Sequence, residues 1–133
     1  MTCAGARPIK FILDTNFLTI PSQFRIDIFR ELEGLGKTYV YTLDRVVEEL
    51  QVLASGAGHA ATHARLALLL VKKNGIKIIK TKSPKENTDD LIVKIAKMGY
   101  VVCTLDRELI KKLRKDKIAV VSMRQGKFLE WVR

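Results

Sequence analysis

Five short apolar runs punctuate the chain, at residues 9–13, 38–42, 76–79, 100–104 and 118–122. Each is dominated by Val, Ile, Leu and aromatic residues without a strict polar alternation, the pattern of strands covered on both faces. Between them, apolar positions recur at helical spacing over residues 22–35, 43–53, 60–73, 88–98 and 107–114. Gly36, Gly75 and Gly99 stand just past three of these segments, where helix C-termini favour glycine. Strands alternating with helices predict an α/β fold: a five-stranded parallel sheet in a single-domain, three-layer α/β/α sandwich. The SGAG stretch at 55–58 reads as a loop between two helices. Residues 1–8 read as a loose N-terminal segment and residues 9–133 as the domain.

An open parallel sheet offers ligands the crevice beyond the carboxyl ends of its strands. Acidic residues collect there. KFILDTNFL, residues 10–18, runs out of the first strand into Asp14; Glu48 and Glu49 lie early in the helix after the second strand. Asp89 and Asp90 open the helix before the fourth strand, and Thr104 and Asp106 follow that strand. Each has an ordinary structural use. Asp106 suits a helix cap, Asp89 and Asp90 suit a first helical turn, and Glu48 and Glu49 suit a solvated surface. Asp14 can cap a short helix at 16–18, but a carboxylate ending a central strand is costly to desolvate. Several carboxylates at one sheet edge repel one another unless a cation intervenes. An oxygen-only donor set selects Mg²⁺ or Mn²⁺ over Zn²⁺. Helical geometry chooses within the pairs. Glu49 falls about 95° from the apolar stripe of its helix and Glu48 about 165°. Asp89 lies about 110° from its stripe and Asp90 about 150°.

Charge adds a partner class. Residues 1–71 hold 7 Lys/Arg and 7 Asp/Glu, whereas residues 72–133 hold 17 against 7, so the second half carries the whole net charge of +10. Such asymmetry suits a polyanion, nucleic acid first, although a lysine-rich solubilised surface gives the same count. Cys3 and Cys103 are far apart and match neither a disulfide framework nor zinc spacing, which points to a reducing, cytoplasmic setting. No apolar run reaches the roughly 20 residues of a membrane-spanning helix, so no membrane partner is expected.

At these residues the chain resembles the PIN-domain nucleases. DTNFL at 14–18 is similar to their D-x-N opening, and RVVEEL at 45–50 to their glutamate-bearing helix. TDDLIVKIA at 88–96 and VVCTLDRELIKKL at 101–113 are similar to their third and fourth acidic segments. The phrasing of the first, third and fourth segments is closer to the PIN proteins of small-subunit ribosomal RNA processing than to toxin members. The resemblance implies a sheet ordered 3-2-1-4-5 and a catalytic, metal-binding set of Asp14, Glu49, Asp89 and Asp106, with Asn16, Thr104 and Asp90 supporting it. It implies Mg²⁺- or Mn²⁺-dependent cleavage of single-stranded RNA, commonly by a homodimer. A ribosomal precursor or an antitoxin would be the macromolecular partner. Lys80, Lys82, Lys85, Lys111, Lys112, Arg114, Lys115 and Lys117 would then guide the RNA backbone.

Other readings fit less well. His59 and His63 have the i, i+4 spacing of a metal pair, but Ala60 stands where an HExxH site needs Glu, so a surface pair is expected. Phe11, Phe17, Phe24, Phe29 and Phe128 are expected in the core, and Trp131 as a C-terminal staple or a partner contact. No GxGxxG or P-loop cradle occurs. A phosphoryl-accepting receiver would carry adjacent acidic residues after its first strand, and a D-x-D phosphatase a second Asp; Thr15 and Asn16 stand there instead. The rivals that remain are a catalytically quiet PIN-like scaffold that binds RNA and a toxin-type PIN ribonuclease.

Overall fold

In the computed structural model, which describes residues 7–81 and 85–133, every apolar run contributes a strand. β1 (Ile9–Leu13), β2 (Thr38–Leu43), β3 (Lys77–Ile79), β4 (Val101–Cys103) and β5 (Val120–Arg124) are parallel, in the order β3-β2-β1-β4-β5. β1 is central, and its Phe11, Ile12 and Leu13 are fully buried, as a strand covered on both faces must be. Most of the expected loose segment 1–8, together with Cys3 and Lys82, lies outside the described residues. Cys103 is a free, buried thiol.

A sixth strand, β6 (Phe128–Trp131), pairs antiparallel with β5, so the sheet has six strands rather than the expected five. Gln125 (φ 54°) and Gly126 (φ 66°) turn the chain, and Lys127 N–H donates to Arg124 O at 3.0 Å. Positive φ at both central residues marks a primed hairpin turn. Asn or Asp usually announces that turn; here Gln does, and the strand behind it has only four residues. Phe24 and Phe128, expected in the core, are each 41% exposed, whereas Phe11 and Phe17 are buried. Phe24 instead lies against Gly126, where a Cβ would meet its ring at 3.3 Å. Trp131 acts as a staple: its ring lies 6.2 Å from that of Phe11.

The helical stretch expected at 22–35 is two helices. α1 (Thr15–Leu18) and α2 (Ile20–Phe24) follow β1. Arg25 then takes a left-handed conformation (φ 56°) and ends α2, while Asp27 caps α3 (Ile28–Glu33) by accepting from Arg30 N–H at 3.2 Å. Glu31 of α3 accepts the Leu129 N–H at 3.0 Å, which satisfies a donor on the edge strand β6. α4 (Asp44–Ala54) and α5 (His59–Lys73) form a hairpin across the 55–58 loop, braced by Arg65, which donates to Ala54 O at 3.0 Å and Gly56 O at 2.9 Å. α6 (Thr88–Ala96) and α7 (Arg107–Lys115) complete the fold. Right-handed crossovers put α1–α5 on one face and α6–α7 on the other, in accord with the packing of α4 on α5, α2 on α5 and α6 on α7. No helix among the described residues is long and apolar enough to cross a membrane.

Asp44, at the start of α4, holds the chain beyond β3. Its carboxylate accepts from Thr81 N–H at 2.9 Å, Thr81 Oγ1 at 2.7 Å and Arg45 N–H at 2.8 Å. Burial would raise its pKa, but the Thr81 and Arg45 contacts outweigh it and hold the carboxyl below the usual range. Asp44→Ala should therefore cost about 1–2 kcal/mol at neutral pH. Because the folded pKa is the lower one, this contribution is present above the unfolded carboxylate pKa and fades as pH falls through the folded value. Urea denaturation of both proteins at neutral and strongly acidic pH checks this, with the gap closing in acid.

Candidate active site

β1 and β4 are adjacent and their connections leave in opposite directions, so a crevice opens beyond their carboxyl ends. Asp14 stands there as the first residue after β1, with its N–H donated to Cys103 O at 3.2 Å. One carboxylate oxygen accepts the Phe17 N–H at 3.0 Å and caps α1, while the other accepts the Thr104 hydroxyl. Asp14 thus serves as both cap and site carboxylate. It is only 6% exposed. Burial pushes its pKa up to about 7, against the lowering by the Thr104 and Phe17 hydrogen bonds and with smaller upward contributions from Asp89 and Asp106. Cys103 beside it is fully buried, and that burial, then the charge of Asp14, drives its thiol upward, so it fills space rather than reacting.

The structure brings Asp14, Glu49, Asp89 and Asp106 to one cleft of about 310 Å³. Thr104 Oγ1 accepts the Asp106 N–H at 3.1 Å, and Asn16 Oδ1 accepts the Leu105 N–H at 3.1 Å, so the loop after β4 is tied to α1. Asp106 caps α7: its Oδ1 accepts from Glu108 N–H at 2.9 Å and Leu109 N–H at 3.3 Å. Glu49 reaches the cleft from α4, held by Thr15 Oγ1 at 2.6 Å and by the Thr88 hydroxyl. Asp89, in the first turn of α6, has its pKa raised by burial first and by Asp106 next, while Lys112 opposes the shift. Glu48 lies outside this cleft.

The remaining expected residues divide. Asp90 does not line the cleft; it lies 3.9 Å from Lys112 and borders a groove between α6 and α7. That groove also carries Lys112 and Lys115, with Lys94 and Lys97, which the basic run after β4 did not single out. Lys111 pairs with Glu108 at 3.7 Å, and Arg114 donates to Ile118 O at 3.5 Å at the end of α7. Lys80, Lys85 and Lys117 are exposed and line neither the cleft nor the groove. His63 is not a surface partner of His59. It is half-buried, lines the cleft, and pairs through Nδ1 with the Ser22 hydroxyl. Thr88 and Gln23 also line the cleft and were not anticipated. Asn87 caps α6, and only the fold turns Thr88 toward Glu49.

The profile of the PIN-like domain family matches residues 11–126. The chain belongs to this family. Among solved structures, the PIN domain endonuclease Utp24 is similar over 95% of this chain and 92% of its own, with 28% identity and a TM-score of 0.80. A domain of a functionally unknown protein from Methanocaldococcus jannaschii DSM 2661 shares the fold, at 17% identity and a TM-score of 0.62 over 94% of this chain and 96% of its own. No curated protein sequence matches significantly.

The site of this PIN-like domain can be tested for a cation on its own residues. All four donors are carboxylates, their neighbours make Asp14 and Asp89 costlier to ionise, and no hydrogen bond among the described residues engages the Asp89 carboxylate or Asp106 Oδ2. That donor set fits a hard divalent ion. Among the described residues no three such side chains stand closely enough to chelate one ion as they lie. Glu49, drawn to Thr15 and Thr88, is the member most committed elsewhere.

Proposed function

We propose that this chain is a metal-dependent endoribonuclease that hydrolyses phosphodiester bonds of single-stranded RNA, with ribosomal RNA precursors as its substrate class. The observation that carries the reading is the convergence of Asp14, Glu49, Asp89 and Asp106 at the switch point of the sheet, with Asp14 buried. Family membership and the likeness to an endonuclease PIN domain support nuclease chemistry. The choice of RNA and of ribosomal precursors rests on the sequence resemblance, and so does a homodimeric state.

Asp14, Asp89, Asp106 and, after a rotamer change, Glu49 would hold Mg²⁺ or Mn²⁺. Bound there, the ion would activate water, neutralise phosphate oxygens and stabilise the departing oxygen. Water adds to phosphorus and the 3′ oxygen leaves with a proton, giving 5′-phosphate and 3′-hydroxyl ends. The chain's own part is positioning. Thr104 orients Asp14 and the backbone of Asp106 together, and Asn16 fixes the loop that carries Asp106. Leu53 and Ile92 line the cleft with apolar surface that limits water. Lys94, Lys97, Lys112 and Lys115 line a groove bordered by Asp90, whose neighbour Asp89 lines the cleft, and would draw the strand toward the site by salt-sensitive phosphate contacts.

Labelled single-stranded RNA incubated with the protein and Mn²⁺ or Mg²⁺ should be cleaved, and EDTA should stop the reaction. RNA binding without cleavage in either metal would overturn the reading in favour of a quiet scaffold.

A further inference from the structure

The cleft has a second wall. Facing inward with the carboxylates are Thr19 and Gln23 at either end of α2, and Ala60 and His63 from α5. Four of the described lining residues are carboxylates, and none is Lys or Arg. A phosphodiester entering this space is an anion among anions, so a donor on the wall away from the carboxylates offers its backbone the least opposed contact. Among the described lining residues, His63 is the one that can also carry positive charge.

Its setting fixes which nitrogen is available. Ser22 of α2 occupies Nδ1, across the packed α2–α5 contact, and leaves Nε2 as the ring nitrogen for a ligand. In the tautomer whose Nδ1 accepts the Ser22 hydroxyl, the neutral ring carries its proton on Nε2; a protonated ring carries one there as well. Both forms present an N–H. α5 is anchored beside the imidazole, since Ala64 is fully buried in the core, and Ala60, one turn earlier, lines the cleft with only a methyl group and leaves the ring open to it. His59, a residue further back, is exposed and does not line the cleft.

We propose that His63, oriented by Ser22, is a substrate-positioning residue whose Nε2–H donates to a backbone phosphate of the strand lying in the cleft. The contact would be sequence-independent, since phosphate oxygens carry no base identity. This rests on the ribonuclease reading for its substrate, but its test does not depend on cleavage.

Binding of a fluorescein-labelled oligouridylate is measured by anisotropy in EDTA for wild type, His63→Ala, His63→Gln, His63→Phe, Ser22→Ala and His59→Ala. His63→Ala should weaken binding about 10-fold, in line with the loss of one hydrogen bond to a charged group. His63→Gln, which keeps an amide donor, should recover most of it, and His63→Phe should not. Ser22→Ala should fall between wild type and His63→Ala, with His59→Ala unchanged. With Mn²⁺, His63→Ala should raise KM by a similar factor and leave kcat within about twofold, a split that a merely structural role would not produce. Binding by His63→Ala and His63→Gln equal to wild type would overturn the proposal and leave the nuclease reading intact. Rescue by Phe instead of Gln would overturn it in favour of base stacking. Wild-type binding without cleavage in Mn²⁺ would overturn the nuclease reading while the His63 result stands.

Discussion

Asp14→Asn should abolish RNA cleavage and, in the absence of metal, make the protein more stable. Both effects come from one feature, a carboxylate held in a site that disfavours its charge. Burial, opposed by Thr104 and Phe17 and reinforced by Asp89 and Asp106, raises its pKa to about 7 from an ordinary value of 3.8. Between these two values the folded chain holds a proton that the unfolded chain has lost. Stability therefore falls as pH climbs from about 4 to about 7, and the full cost persists above that. A shift of this size corresponds to roughly 4 kcal/mol as an upper figure. Asn removes the charge and can still accept the Phe17 N–H, at a cost of about 1 kcal/mol for the hydrogen bond Thr104 must rearrange. The net gain at pH 8 in EDTA should be a few kcal/mol, or on the order of 10 °C in Tm, and should shrink toward zero near pH 4. Mn²⁺ should stabilise wild type and leave the variant nearly unmoved. Cleavage should fall at least about 1,000-fold, several kcal/mol of transition-state stabilisation. Equal Tm values at pH 8, or an active variant, would remove Asp14 from the centre of the site.

The sequence made the architecture legible where a local signal agreed with burial. The run 9–13 became β1 without change because continuous apolar residues in a parallel sheet admit little else. Gly75 marked the end of α5, where it adopts φ 60° and Ile76 N–H returns to Val71 O at 3.1 Å. Signals failed where an unusual residue took a left-handed position. Gln125 takes the turn position of Asn or Asp, and Lys117 takes the left-handed position after α7 at φ 60° without being glycine. The break at Arg25 was hidden because apolar spacing runs through it, while the Asp27 cap that restarts the helix is only a two-residue cue. Within the cleft, strand ends pointed to the carboxylates, and helical angle separated Glu49 from Glu48. The opposite wall was not legible. His63 and Ser22 are 41 positions apart, and the spacing of His63 with His59 pointed elsewhere; only the packing of α2 on α5 joins them.

Asp106 should separate into two functions by substitution. As a cap, its Oδ1 receives two N–H groups at the start of α7, and α7 in turn carries Leu109 and Leu113 into the core. As a charge, it raises the pKa of Asp14 and Asp89 and leaves Oδ2 without a protein donor among the described residues. Asn is as good a cap as Asp, whereas Ala is not one. Asp106→Ala should therefore lose about 1 kcal/mol of stability relative to Asp106→Asn, measured by denaturation in EDTA. Asp106→Asn itself should match or exceed wild type, because one of three mutually repelling carboxylates is gone. Activity should not follow stability. Both variants should lose cleavage by roughly 100-fold or more, since neither side chain can carry the charge a divalent cation needs. The carboxyl of Asp89 should titrate lower in Asp106→Asn than in wild type, which carbon-detected NMR would read directly. An Asp106→Asn protein that cleaves normally would reduce Asp106 to a helix cap. An Asp106→Ala protein whose lost activity returns at lower temperature, where α7 is intact, would say the same. Loss of activity in the well-folded Asn variant instead assigns the residue to the chemistry, with the cap as the means by which α7 holds the carboxylate at the edge of the sheet.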